Sequence, residues 1–247
     1  MTTFGGRQAS LDASSPKKTA LVIGANRGIG LQLVKTFQDH GWKVYGSVRP
    51  ITRDDSSVQD LKNTGAGILY VDYTNEASIE QAAREFGDGP LDCLVNSGGF
   101  GVNPDDSWSH DYDMVLERFK VMCLGPFLAT KHFRPSLERS EAGKVLNISS
   151  DMGSIATNTE EGENIGYRVA KAALNQQTKT LAQELRRTGS KISLVAVCPG
   201  FVATKMTRFR GKDDIVEVCK GTVDIVLNLT TKDSGSFRNW KGAYIPW

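Results

Sequence analysis

Apolar and polar positions follow two different periods along this chain. Six short runs, TALVIG, WKVYGSV, GILYVD, LDCLVN, KVLNIS and ISLVAVC, are rich in Val, Ile and Leu and carry few charges, which is the pattern of strands covered on both faces. Between them the spacing widens to that of a helix. Ile79, Ala82, Ala83 and Phe86 recur at i, i+3, i+4 and i+7, while Leu33 and Phe37 begin another apolar face that Gly41 closes. Val169, Ala173, Leu181 and Leu185 give a third, ended by Arg186, Arg187 and Gly189. Strand alternating with helix predicts an α/β protein with a parallel sheet and right-handed crossovers. In an open sheet of that kind ligands bind beyond the carboxyl ends of the strands.

The 247 residues are enough for one α/β domain with a large core, and no boundary, repeat or low-complexity segment divides them. A content of 39% apolar and 23% charged residues is ordinary for a soluble globular protein, and no run approaches the length of a membrane span. The net charge of +2 comes from interspersed signs, without the basic stripe of a nucleic-acid binder. Cys93, Cys123, Cys198 and Cys219 are far apart, as are His40, His110 and His132, so no metal-ligand spacing appears. Reduced thiols fit a cytoplasmic protein. Residues 1–18 are polar, lack an apolar core and contain Asp12, which predicts a loose N-terminal arm before a domain over 19–247.

The chemistry gathers at the strand ends. The first strand runs into IGANRGIG, where Gly24, Gly28 and Gly30 allow a tight turn and leave a helix N-terminus open to a pyrophosphate. The spacing is G-x-x-x-G-x-G. After the second strand, where a carboxylate would hold the ribose 2′-hydroxyl of NAD, Arg49 is the first charged group, and Arg27 lies nearby in the glycine loop. Two cations at that place suit a 2′-phosphate, so NADPH or NADP⁺ is expected rather than NADH. Asp72, past the third strand, either accepts from an adenine amino group or begins a turn. NSGG closes the fourth strand with Asn96 and Gly98, NISS closes the fifth with Ser149 and Ser150, and CPGFVAT closes the sixth with Pro199, Gly200 and Thr204. Tyr167 and Lys171 in YRVAK are four apart and share one helix face.

Taken in order and at these separations, GANRGIG, Asp72, NSGG, NISS, YRVAK and PGFVAT resemble the short-chain dehydrogenase/reductase family over residues 19–247, and the ending GSFRNWKGAYIPW resembles its small carbonyl-reductase-like branch. The resemblance implies a single doubly wound Rossmann domain with a parallel sheet of about seven strands. It implies a cofactor cleft lined by Gly24, Asn26, Arg27, Gly28, Ile29, Gly30, Arg49, Asp72, Tyr73, Asn96, Gly98, Pro199, Gly200, Val202 and Thr204, together with Tyr167 and Lys171. It implies a catalytic set of Ser150, Tyr167 and Lys171 acting on a small-molecule carbonyl substrate, and a homodimer or homotetramer. Neither nucleic acid nor a membrane is expected as a partner.

In that reading Tyr167 exchanges a proton with the substrate oxygen, and Ser150, the second serine of its pair, hydrogen-bonds the same oxygen. Bringing a phenol from pKa 10 to about 7 takes roughly 4 kcal/mol, for which cationic Lys171, helped by the positive oxidised nicotinamide, is the expected source. Ser150 and Tyr167 stand seventeen positions apart, longer than the family's usual spacing, and the extra length predicts a short flap containing Glu160, Glu161 and Glu163, against the alternative of a solvated acidic loop. Met122 occupies the place where the family usually has an asparagine, and a thioether cannot donate a hydrogen bond. A serine hydrolase is disfavoured because no G-x-S-x-G elbow occurs. Two rivals remain: an NADPH-binding sensor or interaction protein that has lost hydride transfer, and the same fold reused for dehydration, isomerisation or cyclisation. Around the pocket, Lys205, Arg208, Arg210 and Lys212 fit either an anionic or polyphenolic substrate or a solvated face, and Phe201, Met206 and Phe209 fit either apolar substrate contacts or packing.

Overall fold

In the computed structural model, which describes residues 17–101, 106–159 and 162–247, the six apolar runs become strands of one parallel sheet, and a seventh strand near the end of the chain completes it. These are β1 (Thr19–Ile23), β2 (Lys43–Val48), β3 (Gly67–Tyr70), β4 (Cys93–Asn96), β5 (Lys144–Ile148), β6 (Ser193–Cys198) and β7 (Ser236–Asn239). Their spatial order is β3-β2-β1-β4-β5-β6-β7. The chain therefore builds outward from β1 in one direction and then restarts at β4 on its other side. That reversal opens a crevice at the carboxyl ends of β1 and β4.

Among the described residues seven α-helices cover the sheet: α1 (Gly28–Asp39), α2 (Ser57–Lys62), α3 (Glu76–Phe86), α4 (Tyr112–Phe119), α5 (Gly125–Arg139), α6 (Ile165–Arg187) and α7 (Ile215–Asn228). Because a strand alternates its side chains, Ala20 and Val22 of β1 join the core layer under α1 and α7, while Leu21 and Ile23 join the layer under α3, α5 and α6. Both faces are buried, which explains why β1 has no polar face in sequence.

The helices start and stop where local chemistry dictates. Asn75 accepts from the Ser78 N–H, Asp111 from the Met114 N–H at 2.9 Å, and Asp214 from the Val216 and Glu217 N–H groups at 2.9 and 3.0 Å, each satisfying donors of a first turn. Beyond α6, Gly189 takes φ +73°, the left-handed conformation that ends a helix. Arg27 precedes α1 without capping it, and no acidic side chain lies in that first turn. The four cysteines are buried and free. No helix among the described residues is long and apolar enough to cross a membrane. Of the expected N-terminal arm, residues 1–16 lie outside the described residues.

Candidate active site

At the glycine loop the backbone itself is the working surface. Gly24 has φ +83°, and a Cβ there would come 2.9 Å from the Cα and N of Gly98, so two strand ends meet with no room for a side chain. A Cβ on Gly30 would run into the Gly24 carbonyl, and one on Gly28 would lie 3.5 Å from Cγ2 of Thr204. The turns after β1, β4 and β6 thus converge. Ala25 donates its N–H to the Ser47 carbonyl at 2.9 Å, and Asn26 Nδ2 donates to Ser57 Oγ at 2.8 Å, tying the loop to β2 and to the start of α2. Ile29 packs against the core layer behind it.

Arg27 and Arg49 are both exposed near this loop. Asp55 feels the charge of Arg27: its carboxyl is held below the ordinary range first by the Ser57 backbone N–H, then by the Ser57 hydroxyl, and also by the charges of Arg27 and Lys205. Lys205 comes from the segment after β6, so that segment bends over the glycine loop. Its ends are joined by Phe201 N–H to Asp213 Oδ2 at 2.7 Å and Lys212 N–H to the Phe201 carbonyl at 2.7 Å, and Val202 bridges to Asp213. Arg208 and Phe209 take φ 51° and 59°, a rare pair of left-handed non-glycine residues. Met206 reaches within 3.6 Å of the position a Gly99 Cβ would take, and Met122 within 3.8 Å of the same point. Those two thioethers share the floor beside Gly99.

Glycines with no room for a side chain, an uncapped helix start and two exposed arginines form a cradle that fits a dinucleotide. Asp72 begins a turn, accepting at Oδ1 from the Thr74 N–H at 2.9 Å and the Thr74 hydroxyl at 2.7 Å. The side chain of Tyr73 is committed inward. Its hydroxyl donates to Asn96 Oδ1 at 2.8 Å, and its ring fills the space left by Gly98 and Gly125, so any cofactor contact at this position falls to its backbone.

The other wall is made of side chains. Tyr167 and Lys171 project from the first turns of α6, only 8% and 5% exposed, and Ser150, at the end of β5, is 8% exposed. Ser149 points away, its hydroxyl donating to Asn175 Oδ1 at 2.6 Å. Ser150 faces the Tyr167 phenol and favours its ionised form, while its hydroxyl donates to Asp151 Oδ1 at 3.0 Å. Lys171 Nζ donates to the Ile148 carbonyl at 2.8 Å and lies 5.6 Å from the centre of the Tyr167 ring. The three residues named from sequence therefore do come together.

Their electrostatics differ from the expectation. Burial raises the Tyr167 phenol above its ordinary value, the Ser150 hydroxyl opposes this, and the Cys198 and Asp151 charges push upward again. Burial lowers Lys171 to about 8. The protein's own groups thus keep the phenol protonated. Desolvation outweighs the ammonium, whose head is drawn to a backbone carbonyl.

Several contributors were not visible in the sequence. Pro126 has no N–H to offer the Met122 carbonyl, and the helix opens into a π-helical turn at Lys120–Leu124 between α4 and α5. Gln177 of α6 spans the gap: with its amide assigned the orientation that satisfies both neighbours, it donates to the Cys123 carbonyl at 3.0 Å and accepts from the Phe127 N–H at 3.2 Å. Met122 itself is 1% exposed and packs with Tyr167, Ala170 and Phe100. A buried relay runs across the sheet from Tyr73 through Asn96 Nδ2 to Asn147 Oδ1 at 2.8 Å and from Asn147 Nδ2 to Thr178 Oγ1 at 2.8 Å. The polar residues within otherwise apolar runs were the available signal. Of the expected flap, Glu160 and Glu161 lie outside the described residues, and the Glu163 carbonyl accepts from Arg168 Nε at 2.6 Å. Pro199 and Gly200 turn the chain at the end of β6, with Gly200 at φ +76°.

A family model described as short chain dehydrogenase matches residues 18–215. A 1-hydroxy-2-glutathionyl-2-methyl-3-butene dehydrogenase of Rhodococcus sp. is 28% identical over 93% of this chain and 99% of that protein. Among solved structures, NADPH-bound carbonyl reductase from chicken fatty liver superposes with TM-score 0.84 at 28% identity, covering 94% of this chain and 99% of its own. Carbonyl reductase Sniffer of D. melanogaster does so with TM-score 0.84 at 25% identity, covering 94% and 100%.

Proposed function

The chain belongs to the short chain dehydrogenase family, a family of oxidoreductases, and on that premise we propose that it is an NADPH-dependent carbonyl reductase acting on a small ketone or aldehyde, with Tyr167 as its acid. The observation that carries this is the meeting of Ser150, Tyr167 and Lys171 in one buried wall opposite the glycine cradle. Likeness to carbonyl reductases, one of them bound to NADPH, supports the same reading.

Gly24, Gly28 and Gly30 would approach the pyrophosphate, and Arg27 and Arg49 would hold the 2′-phosphate. Bound NADPH supplies the hydride equivalent that reduces the carbonyl carbon. Tyr167 gives its proton to the carbonyl oxygen, a task for which a protonated phenol is the required form and which burial secures. Ser150 holds that oxygen by a hydrogen bond, for which its hydroxyl proton must leave Asp151. Lys171, positively charged below about pH 8, stabilises the phenolate left behind until solvent returns the proton. Phe100, Met122 and Met206 offer an apolar face, which favours a hydrophobic substrate.

Tyr167→Phe tests the reading. Oxidation of NADPH with a panel of aromatic ketones falls about 10²- to 10⁴-fold while NADPH affinity holds. Binding of NADPH without turnover by the unaltered protein would instead favour the sensor reading. Exposed apolar side chains on α4, α5 and α6, among them Tyr112, Phe119, Phe127, Ile165 and Val169, support assembly as a homodimer or homotetramer, which sedimentation velocity measures directly.

A further inference from the structure

We propose that the segment following β7 is a positioning element of the catalytic wall, with Trp247 and Ser154 as the residues that transmit it to Ser150. The proposal rests on the carbonyl-reductase reading. After β7 the chain turns and runs back beside the strand: Asn239 N–H bonds the Ala243 carbonyl at 2.8 Å, Ile245 N–H bonds the Phe237 carbonyl at 2.9 Å, and Arg238 lies 4.6 Å from the centre of the Tyr244 ring. Trp247 then stacks on Phe237, with ring centres 5.5 Å apart and planes 22° from parallel.

This return segment grips the stretch of chain just past Ser150. Ser154, 1% exposed, donates its hydroxyl to the Pro246 carbonyl at 2.6 Å, and Ala156 donates its N–H to the Trp247 carbonyl at 2.9 Å. Ser154 Oγ also accepts from the Thr157 N–H at 3.2 Å. On its inner side the same stretch is clamped by α6, where Asn175 Nδ2 donates to the Gly153 carbonyl at 3.2 Å and Gly153 lies against the Lys171 backbone. Ser150 therefore sits at the head of a short turn held from both sides. One clamp belongs to the catalytic helix and the other to the sheet edge.

The outer clamp is separable from folding and from the cofactor. Trp247 is 39% exposed, so truncating its ring leaves no deep cavity, and among the described residues, residues 244–247 make no hydrogen bond or ring contact with the glycine loop. Loosening it changes where the Ser150 hydroxyl stands relative to the reacting oxygen, a displacement to which catalytic rate is steeply sensitive.

The experiment compares Trp247→Ala, Trp247→Phe and Ser154→Ala in the full chain. The expected result is a fall in kcat of about ten-fold for Trp247→Ala and Ser154→Ala, with KM and NADPH affinity within about two-fold of the parent and full recovery in Trp247→Phe, which keeps the stack. In a Ser150→Ala background Trp247→Ala adds no further loss, because the pathway ends at that serine. Hydrogen exchange at the Ala156 and Thr157 amides speeds up in both loosened variants, a readout that needs no turnover. Unchanged exchange, a loss that adds in full to that of Ser150→Ala, or NADPH affinity falling in step with kcat overturns the proposal. Failure of the parent protein to reduce any carbonyl overturns the reading beneath it, and exchange at Ala156 and Thr157 still decides whether the clamp exists.

Discussion

Across the cleft, the glycine loop and the α6 wall meet the same substrate space with opposite materials. The loop presents backbone: Gly24, Gly28 and Gly30 are there because a Cβ would collide or a left-handed turn is needed, and its charged side chains, Arg27 and Arg49, are exposed. The wall presents side chains, with Ser150, Tyr167 and Lys171 almost fully buried and their proton affinities moved by that burial. A backbone surface tolerates no added volume, and its cations are screened by solvent. A buried polar wall tolerates volume better than loss of a partner, and its charges answer to desolvation.

If the contrast holds, the largest effect on cofactor binding comes from Gly30→Ala. A methyl group driven at the Gly24 carbonyl forces the loop apart, and NADPH affinity falls about a hundred-fold with a lower Tm, both measurable by titration and calorimetry. Retained affinity would mean that the cradle is not where the cofactor lies. Next, Arg27→Ala with Arg49→Ala weakens NADPH about ten- to a hundred-fold and leaves NADH binding unchanged, since only the 2′-phosphate loses charge-assisted partners. Equal losses for both cofactors would remove the 2′-phosphate assignment.

The wall is sharpened by pH. In the proposed reaction the proton comes from Tyr167, which burial retains well into the alkaline range, so the first group to titrate is Lys171 at about 8. The rate of reduction is level below that value and falls as pH rises through it, because the ammonium is lost. Lys171→Met is slow throughout and shows no inflection there. An inflection that survives in Lys171→Met belongs to another group. The smallest effect on rate is that of Met122→Asn: kcat stays within the same order of magnitude, while an amide placed in an apolar cluster lowers stability by about 1–3 kcal/mol in denaturant titration. A pronounced gain in kcat would show that the thioether limits proton delivery.

Strand positions, the glycine loop and the YRVAK helix face could be read from the sequence because each depends on local rules: short apolar runs with few charges, conformations open to glycine, and a four-residue helical repeat. The expectation of about seven strands and the choice of Ser150 over Ser149 came from resemblance, not from periodicity, and the order of the strands came from the structure. Tyr73 shows the limit. Its place beside Asp72 suggested the cofactor, yet its ring fills space vacated by Gly98 and Gly125, two residues distant in the chain.

By itself the sequence determined the alternation of strands and helices, the glycine turn after the first strand and the helix face that Tyr167 and Lys171 share, since these follow from neighbours a few positions apart. Only the tertiary structure decided that Tyr167 is held protonated, that Lys171 turns to the Ile148 carbonyl, and that residues 244–247 grip the turn behind Ser150. Desolvation and long-range hydrogen bonding depend on which distant segments surround a group, and that is settled only when the chain has closed on itself.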